Sequence, residues 1–404
     1  MSGRRRRVPV RPVDRGGAGG TVFSLTGWPF MALVVLATTA AFVALVVWWP
    51  SLSGRGWRRF AGRAGLLLGV NVLVLLTAAT QLNAQFLYFA DWTDLEGALS
   101  GTVTTTTLQR GATATDAASR AVAGAAAQRA TGRLPALATT TDGSGDLLYT
   151  VRGPRSGVTG LVVVRLPAGY ASHANASVRY PVLETFHGYP GSPFTWVRSM
   201  GLGSALAHQV AAHRMRPALI VSPDLQVPAG ADTECVNGRP GTPQMETWLT
   251  RDVPEWVART FRVSTNRSSW ATIGISSGGW CAAMAAMLHP AQYSAAVVMG
   301  GYFRPELGPS YEPYAPGSAL ARRYDLVALT RRRPAPVALW METSHTDPVS
   351  YTSSAELLKV ARPPLAIDAT VLQHAGHRAA VWLGLLPGAL GWLGLNVPGF
   401  APTS

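Results

Sequence analysis

One short segment of this 404-residue sequence has the spacing of a nucleophile turn. Gly274-Ile275-Ser276-Ser277-Gly278 is a G-x-S-x-G motif that follows an apolar run and precedes a helix-like run. A sharp turn between a strand and a helix holds such a serine above the sheet, and the glycines let neighbouring backbone pass closely. The helix N-terminus adds positive potential where negative charge develops. The motif therefore predicts that Ser276 is a nucleophile.

A nucleophilic serine needs a general base, and the late segment QHAGHRAAVW offers His374 and His377. In the chain order typical of this motif, the base follows the acid and lies in the loop after the last strand. His374 directly follows the last strand-like run, whereas His377 comes after a small Ala-Gly step that lets the chain turn back. His377 is therefore the predicted base, with His374 as the alternative.

Two carboxyl groups could orient that histidine. Glu342 lies at the end of the strand-like run PVALWMET, and Asp347 lies in the loop beyond it. The acid must reach the Nδ1–H group of the ring from a loop, which favours Asp347. Glu342 stays open as the alternative acid.

The oxyanion formed in acyl transfer needs two backbone N–H donors. One is predicted at Ser277, the residue after the nucleophile. The other is predicted in the loop FHGYPG, at the N–H of Tyr189, because Pro190 has no N–H to donate. His187, in the same loop, is predicted to be a structural hydrogen-bonding residue.

Short β-rich runs alternate with helix-like segments after residue 147. Several runs, such as GLVVVRLP and PALIVSPDL, are continuously apolar, as buried strands require. The alternation predicts a mostly parallel sheet with helices on both faces. Together with the order Ser, acid, His, it predicts an α/β-hydrolase fold for a catalytic domain at residues 145–398.

The N-terminal part of the sequence contains two long apolar runs. Residues 23–50 are nearly uncharged with tryptophans at both ends, and residues 65–82 form the second run. About 20 apolar residues suffice to cross a bilayer, and tryptophan is typical of its interfaces. We therefore predict two transmembrane helices within residues 23–83. A basic disordered tail is predicted at 1–22 and an extracytoplasmic tether, rich in Thr, Ala and Gly, at 84–144.

Charge bias bears on the orientation of these helices. The loop between them carries Arg55, Arg58, Arg59 and Arg63, so the positive-inside rule predicts a cytoplasmic loop and an extracytoplasmic catalytic domain at the plasma membrane. The arginines at 4–7 would then also lie outside. Three alternatives follow: the basic tail is translocated, the true start lies downstream, or the catalytic domain faces the cytoplasm.

The overall composition excludes some function classes. The net charge is +14, but the arginines are mostly dispersed and no nucleic-acid-binding motif is present, so nucleic acid is not a predicted partner. The two cysteines, Cys235 and Cys281, have no C-x-x-C spacing, and no metal or organic cofactor is predicted. They form either one disulfide or two buried thiols.

The segments HGYPG, ETWLTRDVPEW, GISSGGWCAAMAAMLHP and the late AGH followed by Trp382 together resemble the esterase D-like hydrolases. This family includes secreted mycolyltransferases and enterochelin esterases. The resemblance covers residues 145–385 and implies an acyl-enzyme on Ser276, with His377 as base and Asp347 or Glu342 as acid. It also implies that Cys235 and Cys281 approach the active site, where a disulfide could brace it.

The predicted function is a membrane-anchored, extracytoplasmic serine esterase or acyltransferase that acts on carboxylic esters, with cell-envelope lipids or glycolipids as substrates. Water or an acceptor hydroxyl would resolve the acyl-enzyme. The alternative outside the enzymes is a protein with a catalytically idle hydrolase fold that serves as a scaffold of the cell envelope. A peptidase on the same fold is a third reading. The sequence does not predict the acyl chain, the acceptor or the oligomeric state.

Overall fold

A computed structural model describes residues 24–25, 27–86, 88–100, 105–110, 140–141, 145–308 and 311–402. The chain divides into two units, residues 1–92 and 93–404. The predicted basic tail, residues 1–22, lies outside the described residues, as does most of the predicted tether beyond residue 100.

The first unit contains two long apolar helices that pack against each other. They are α1 (Trp28–Trp48) and α2 (Trp57–Phe86), and the hydroxyls of Thr38 and Thr77 lie 2.8 Å apart between them. α1 has no charged residue, and the arginines of α2 lie in its first two turns. Many of their large apolar side chains lie exposed on the surface of the helix pair. Both helices are long and apolar enough to cross a membrane.

The second unit is built on a ten-stranded sheet. Along the sheet the order is β1-β10-β9-β8-β7-β5-β6-β4-β3-β2. The strands are β1 (Thr105–Arg110), β2 (Thr140–Thr141), β3 (Leu147–Arg152), β4 (Thr159–Arg165), β5 (Val182–Phe186), β6 (Leu219–Pro223), β7 (Trp270–Ile275), β8 (Ala295–Met299), β9 (Ala338–Ser344) and β10 (Ala366–Leu372). The six strands from β5 to β10 are parallel to one another, and the others pair antiparallel at the two edges.

Helices alternate with these strands along the chain. They are α3 (Trp92–Ser100), whose first residue falls in the first unit, α4 (Leu202–Ala211), α5 (245–260), α6 (Ser277–Leu288), α7 (Ala319–Arg323), α8 (Leu326–Arg332), α9 (Tyr351–Val360) and α10 (Ala379–Asn396). α5 is continuous through a π-helical turn at Trp248–Asp252.

Successive strand residues point to opposite faces, so each face of the sheet has its own core. In β4, Val162 and Val164 belong to one core, which α5 and α6 cover, whereas Val163 belongs to the other, which α4 and α10 cover. The predicted mostly parallel sheet with helices on both faces is confirmed.

α10 is a third helix long and apolar enough to cross a membrane. Half of it is buried within the second unit, where Leu386, Leu390 and Leu393 join the core that it shares with α4. The absence of charge in this helix therefore serves packing against the sheet.

The structure differs from the predicted tether at the start of that segment. Residues 105–110 form β1, which pairs antiparallel with β10 at the edge of the sheet, from Thr105 opposite Leu372 to Arg110 opposite Ile367. The run of threonines is β-branched and suits an extended strand. The unpaired edge of β10 offers it backbone partners.

Candidate active site

Ser276 occupies the turn between β7 and α6. Its backbone has φ 55° and ψ −126°, a conformation that non-glycine residues rarely adopt. The flanking glycines permit this turn, because a Cβ on Gly274 would lie 1.9 Å from the carbonyl oxygen of Gly278. A Cβ on Gly278 would in turn lie 2.2 Å from the carbonyl oxygen of Phe186. The backbone of three segments thus crosses at distances that only glycine allows.

The structure brings Ser276, His377 and Asp347 together. His377 Nε2 lies 2.8 Å from Ser276 Oγ, and His377 Nδ1 lies 3.0 Å from Asp347 Oδ2. A ring that donates from Nδ1 to the carboxylate has a free lone pair on Nε2 to accept the serine proton. His374 lies exposed in the same loop, so His377 and not His374 is the histidine at the serine.

Asp347 is a buried carboxylate with several donors. Burial alone would raise its pKa, but the hydrogen bonds from His377 Nδ1, the Ser350 hydroxyl and the Val349 amide outweigh burial and lower the pKa below its ordinary value. Asp347 therefore carries a negative charge at neutral pH, where it can stabilise an imidazolium on His377.

Glu342, the alternative acid, has the opposite electrostatic environment. It is 3% exposed, and its Oε2 accepts a hydrogen bond from the Gly300 amide at 2.9 Å. Burial and the charge of Asp347 raise its pKa to about 8. Glu342 is thus mostly protonated at pH 7. The indole of Trp382, which hydrogen-bonds to Glu342, also meets the His377 ring edge-on at 5.0 Å between centroids.

The loop predicted to supply an oxyanion donor lies beside Ser276. A Cβ on Gly188 would lie 3.3 Å from the Cβ of Ser276, so residues 187–189 pass directly over the turn. Tyr189 and Ser277 line one pocket there. His187 is 2% exposed, and its Nε2 accepts from the Leu225 amide at 3.2 Å. It thus joins the loops that follow β5 and β6.

Cys235 and Cys281 form a disulfide between the loop before α5 and the helix α6. The same loop is held by Trp280, whose indole donates to the Glu234 carbonyl at 2.8 Å. The Glu234 carboxyl accepts from the Tyr302 hydroxyl at 2.6 Å, and burial and the charge of Asp232 raise its pKa to about 8. The disulfide lines the same pocket as Tyr189 and Ser277.

Two contacts at the site escaped sequence reasoning. One is the hydroxyl of Ser350, which donates to Asp347 at 2.6 Å. Ser350 lies three residues after Asp347, a spacing typical of local hydrogen bonds in turns, so the sequence did contain a signal for this contact. The other is the ion pair between Arg378 and Asp94, whose members lie 284 residues apart. No local sequence pattern identifies such a pair.

A mostly parallel sheet, a serine on a strained strand-to-helix turn and a histidine in the loop after the last strand define the class of α/β-hydrolases. Within this class, the chain belongs to the family described as "Putative esterase", which matches residues 159–381. The expected membership of the esterase D-like group is confirmed.

Solved structures share the fold. A ferulic acid esterase superposes with a TM-score of 0.50 at 19% identity, covering 61% of this chain and 96% of that one. An S-formylglutathione hydrolase from Agrobacterium tumefaciens superposes with a TM-score of 0.52 at 15% identity, covering 65% of this chain and all of the other.

A curated relative, an uncharacterized protein of Corynebacterium glutamicum, is 29% identical over 134 residues. The match covers 33% of this chain and 31% of the relative, so the chain spans about a third of the length of the curated relative it matches.

Proposed function

We propose that this protein is a membrane-anchored serine esterase or acyltransferase that works through an acyl-enzyme on Ser276. The observation that carries this proposal is the hydrogen-bond chain from Ser276 Oγ through His377 to Asp347. Its two distances lie in the range of hydrogen bonds that can transfer and orient a proton.

In the proposed mechanism, Ser276 Oγ attacks the ester carbonyl while its proton moves to His377 Nε2. The carbonyl oxygen becomes an oxyanion, which the backbone N–H groups of Tyr189 and Ser277 stabilise. As the intermediate collapses, His377 gives the proton to the departing alkoxide and leaves an acyl ester on Ser276. Water or an acceptor hydroxyl then attacks that ester with His377 as base, and Ser276 regains its proton.

Asp347 remains ionised throughout this cycle. Its low pKa keeps it from taking the proton, so its charge stabilises the imidazolium each time His377 is protonated. Glu342, which is mostly protonated, cannot offer the same charge at pH 7. We therefore propose Asp347 as the acid of the triad.

We further propose that α1 and α2 form a membrane anchor within residues 23–83 and that residues 145–398 are the catalytic domain outside the cytoplasm. The apolar length of both helices and the four arginines within residues 55–63, between the two apolar runs, support this arrangement. The disulfide between Cys235 and Cys281 supports it independently, because such bonds persist in oxidising compartments.

Reporter fusions test the topology. Alkaline phosphatase fused after Ser404 should be active and green fluorescent protein at the same point dark, because the first matures only outside the cytoplasm and the second only inside. The same reporters fused within the loop at residues 50–56 are the matched control and should give the reverse pattern. A fluorescent fusion after Ser404 with inactive phosphatase would overturn the extracytoplasmic placement.

For the substrate, we propose carboxylic esters of cell-envelope lipids or glycolipids. An anchor that holds the enzyme at a membrane favours lipid-borne esters.

Paired substrates test the reaction class. The full-length protein in detergent should hydrolyse p-nitrophenyl esters and release acyl groups from extracted envelope lipids, while peptide p-nitroanilides remain intact. Mass spectrometry of the trapped protein should find the acyl group on Ser276. Anilide cleavage at rates similar to ester cleavage would favour a peptidase instead, and activity confined to short, water-soluble esters would contradict the lipid substrate.

A further inference from the structure

The loop that carries His377 connects β10 to α10; Asp94 contacts one end of it and β1 pairs with the strand at the other end. At the carboxyl end, Arg378 is 8% exposed and directly follows His377. Its Nη1 lies 2.6 Å from Asp94 Oδ2, and its Nη2 lies 2.8 Å from Asp94 Oδ1. The pair is bidentate, a geometry that fixes both position and orientation of the guanidinium.

Both members of this pair are withdrawn from water. Asp94, on α3, is only 2% exposed. Removing one partner of a buried ion pair is strongly destabilising, so we expect the loop to move and hydrate the charge that remains. Since consecutive Cα atoms are about 3.8 Å apart, a displacement of Arg378 is passed directly to His377.

At the amino end of the loop, β1 pairs with β10 along six residues. The register places Thr105 opposite Leu372, the last residue of β10 and five positions before His377. The middle of the loop is tied to β9 and the turn after it, because the Ala375 amide donates to the hydroxyls of Ser344 and Thr346. β1 and Asp94 thus hold the two flanks of the loop.

We propose that Asp94 and β1 together form a clamp on the loop that carries His377 and that Asp94 is a positioning residue for His377. The inference rests on the proposed role of His377 as the base. Asp94 acts through Arg378 and does not touch the reacting atoms. Its contribution is to keep His377 Nε2 at 2.8 Å from Ser276 Oγ while the ring also faces Asp347.

The clamp predicts a specific kinetic signature. In the full-length protein in detergent, Asp94→Asn should lower kcat for a p-nitrophenyl ester about 10- to 100-fold, because a shift near 1 Å in a catalytic group costs that much. The KM should change less than about threefold, because the substrate pocket is untouched. The rate constant is taken per site titrated with a fluorophosphonate, so that loss of folded protein does not count as loss of catalysis.

Two further variants complete the test. Glu96→Gln replaces an exposed carboxylate on the same helix and should leave kcat unchanged. Asp94→Glu keeps the charge, which protects folding, and should restore part of the lost kcat because a longer side chain can still reach Arg378. Thermal unfolding of each variant monitors stability separately.

The outcomes separate the inference from the function on which it rests. Wild-type kcat per titrated site in both Asp94→Asn and Asp94→Glu would overturn the clamp and leave the proposed function intact. A wild-type protein that neither labels with the fluorophosphonate nor cleaves esters would overturn the proposed function, and the clamp with it. An equal loss of kcat in Glu96→Gln would also contradict the assignment to Asp94.

Discussion

Replacement of Ser276 with alanine should abolish labelling by a fluorophosphonate probe and lower kcat for ester hydrolysis at least about 10⁴-fold. The probe forms a covalent bond only with a serine whose proton can be removed, and His377 Nε2 lies 2.8 Å from that hydroxyl. Alanine lacks the nucleophilic oxygen but fits the turn with less bulk. The protein should therefore remain folded while the acyl-enzyme can no longer form. Gel fluorescence of the labelled protein and initial-rate assays measure the two effects.

Ser204→Ala is the matched control, because Ser204 lies exposed on α4. Its labelling and kcat should equal those of the wild type. If Ser276→Ala labels as strongly as the wild type, another residue is the nucleophile. If the wild type itself does not label, the idle scaffold on a hydrolase fold becomes the better description of this chain.

Ser276 and His377 could be selected from sequence as the candidate nucleophile and base because their signals are local. Gly274 is required by a contact with the carbonyl of Gly278 inside the same motif, and the Ala-Gly step before His377 lies within the loop of that histidine. The choice between Asp347 and Glu342 could only be ranked from sequence. Their difference lies in burial and in donors such as Ser350 and the Gly300 amide, which tertiary structure brings to them.

The segment before the catalytic domain shows where sequence reasoning ends. Its threonine- and alanine-rich composition is typical of a tether, yet residues 105–110 form a strand and Asp94 pairs with Arg378. Strand formation depends on the free edge that β10 supplies, because β-propensity is mostly a property of context. A single aspartate on a short helix carries no sign of a partner 284 residues away.

The second large effect on kcat is expected from replacing the proposed acid of the triad. Asp347→Asn should lower kcat about 10⁴-fold, since an amide can stabilise the wrong tautomer of His377 and has no charge to offer an imidazolium. Glu342→Gln should lower kcat less than about tenfold. Glu342 is already mostly protonated at pH 7, and glutamine has nearly its shape and can still accept from the Gly300 amide.

The measurement is kcat per titrated site for both variants at pH 7, with thermal unfolding as a check on folding. A loss in Glu342→Gln as large as that in Asp347→Asn would contradict the assignment of Asp347 as the sole charged acid. Near-wild-type activity of Asp347→Asn would transfer the role to Glu342.

The pH dependence of the free energy of unfolding also distinguishes Glu342 from Asp347. The folded pKa of Glu342, about 8, lies above its ordinary value of 4.5, so the native state holds a proton that the unfolded state releases between these pH values. The contribution of Glu342 to the free energy of unfolding is therefore largest below pH 4.5 and decreases as the pH rises toward 8. Glu342→Gln should gain stability relative to the wild type across this window.

The pKa of Asp347 shifts in the opposite direction on folding. Its folded pKa lies below the ordinary 3.8, so its contribution to stability is present at neutral pH and is lost only as the pH falls through that lower value. Denaturant unfolding of the wild type and both variants at pH 5 and pH 8 tests this contrast. A Glu342→Gln stability difference that does not grow with pH would show that Glu342 is ionised in the folded protein. It would then be a second charge beside Asp347, and both carboxylates would share the task of stabilising the His377 imidazolium.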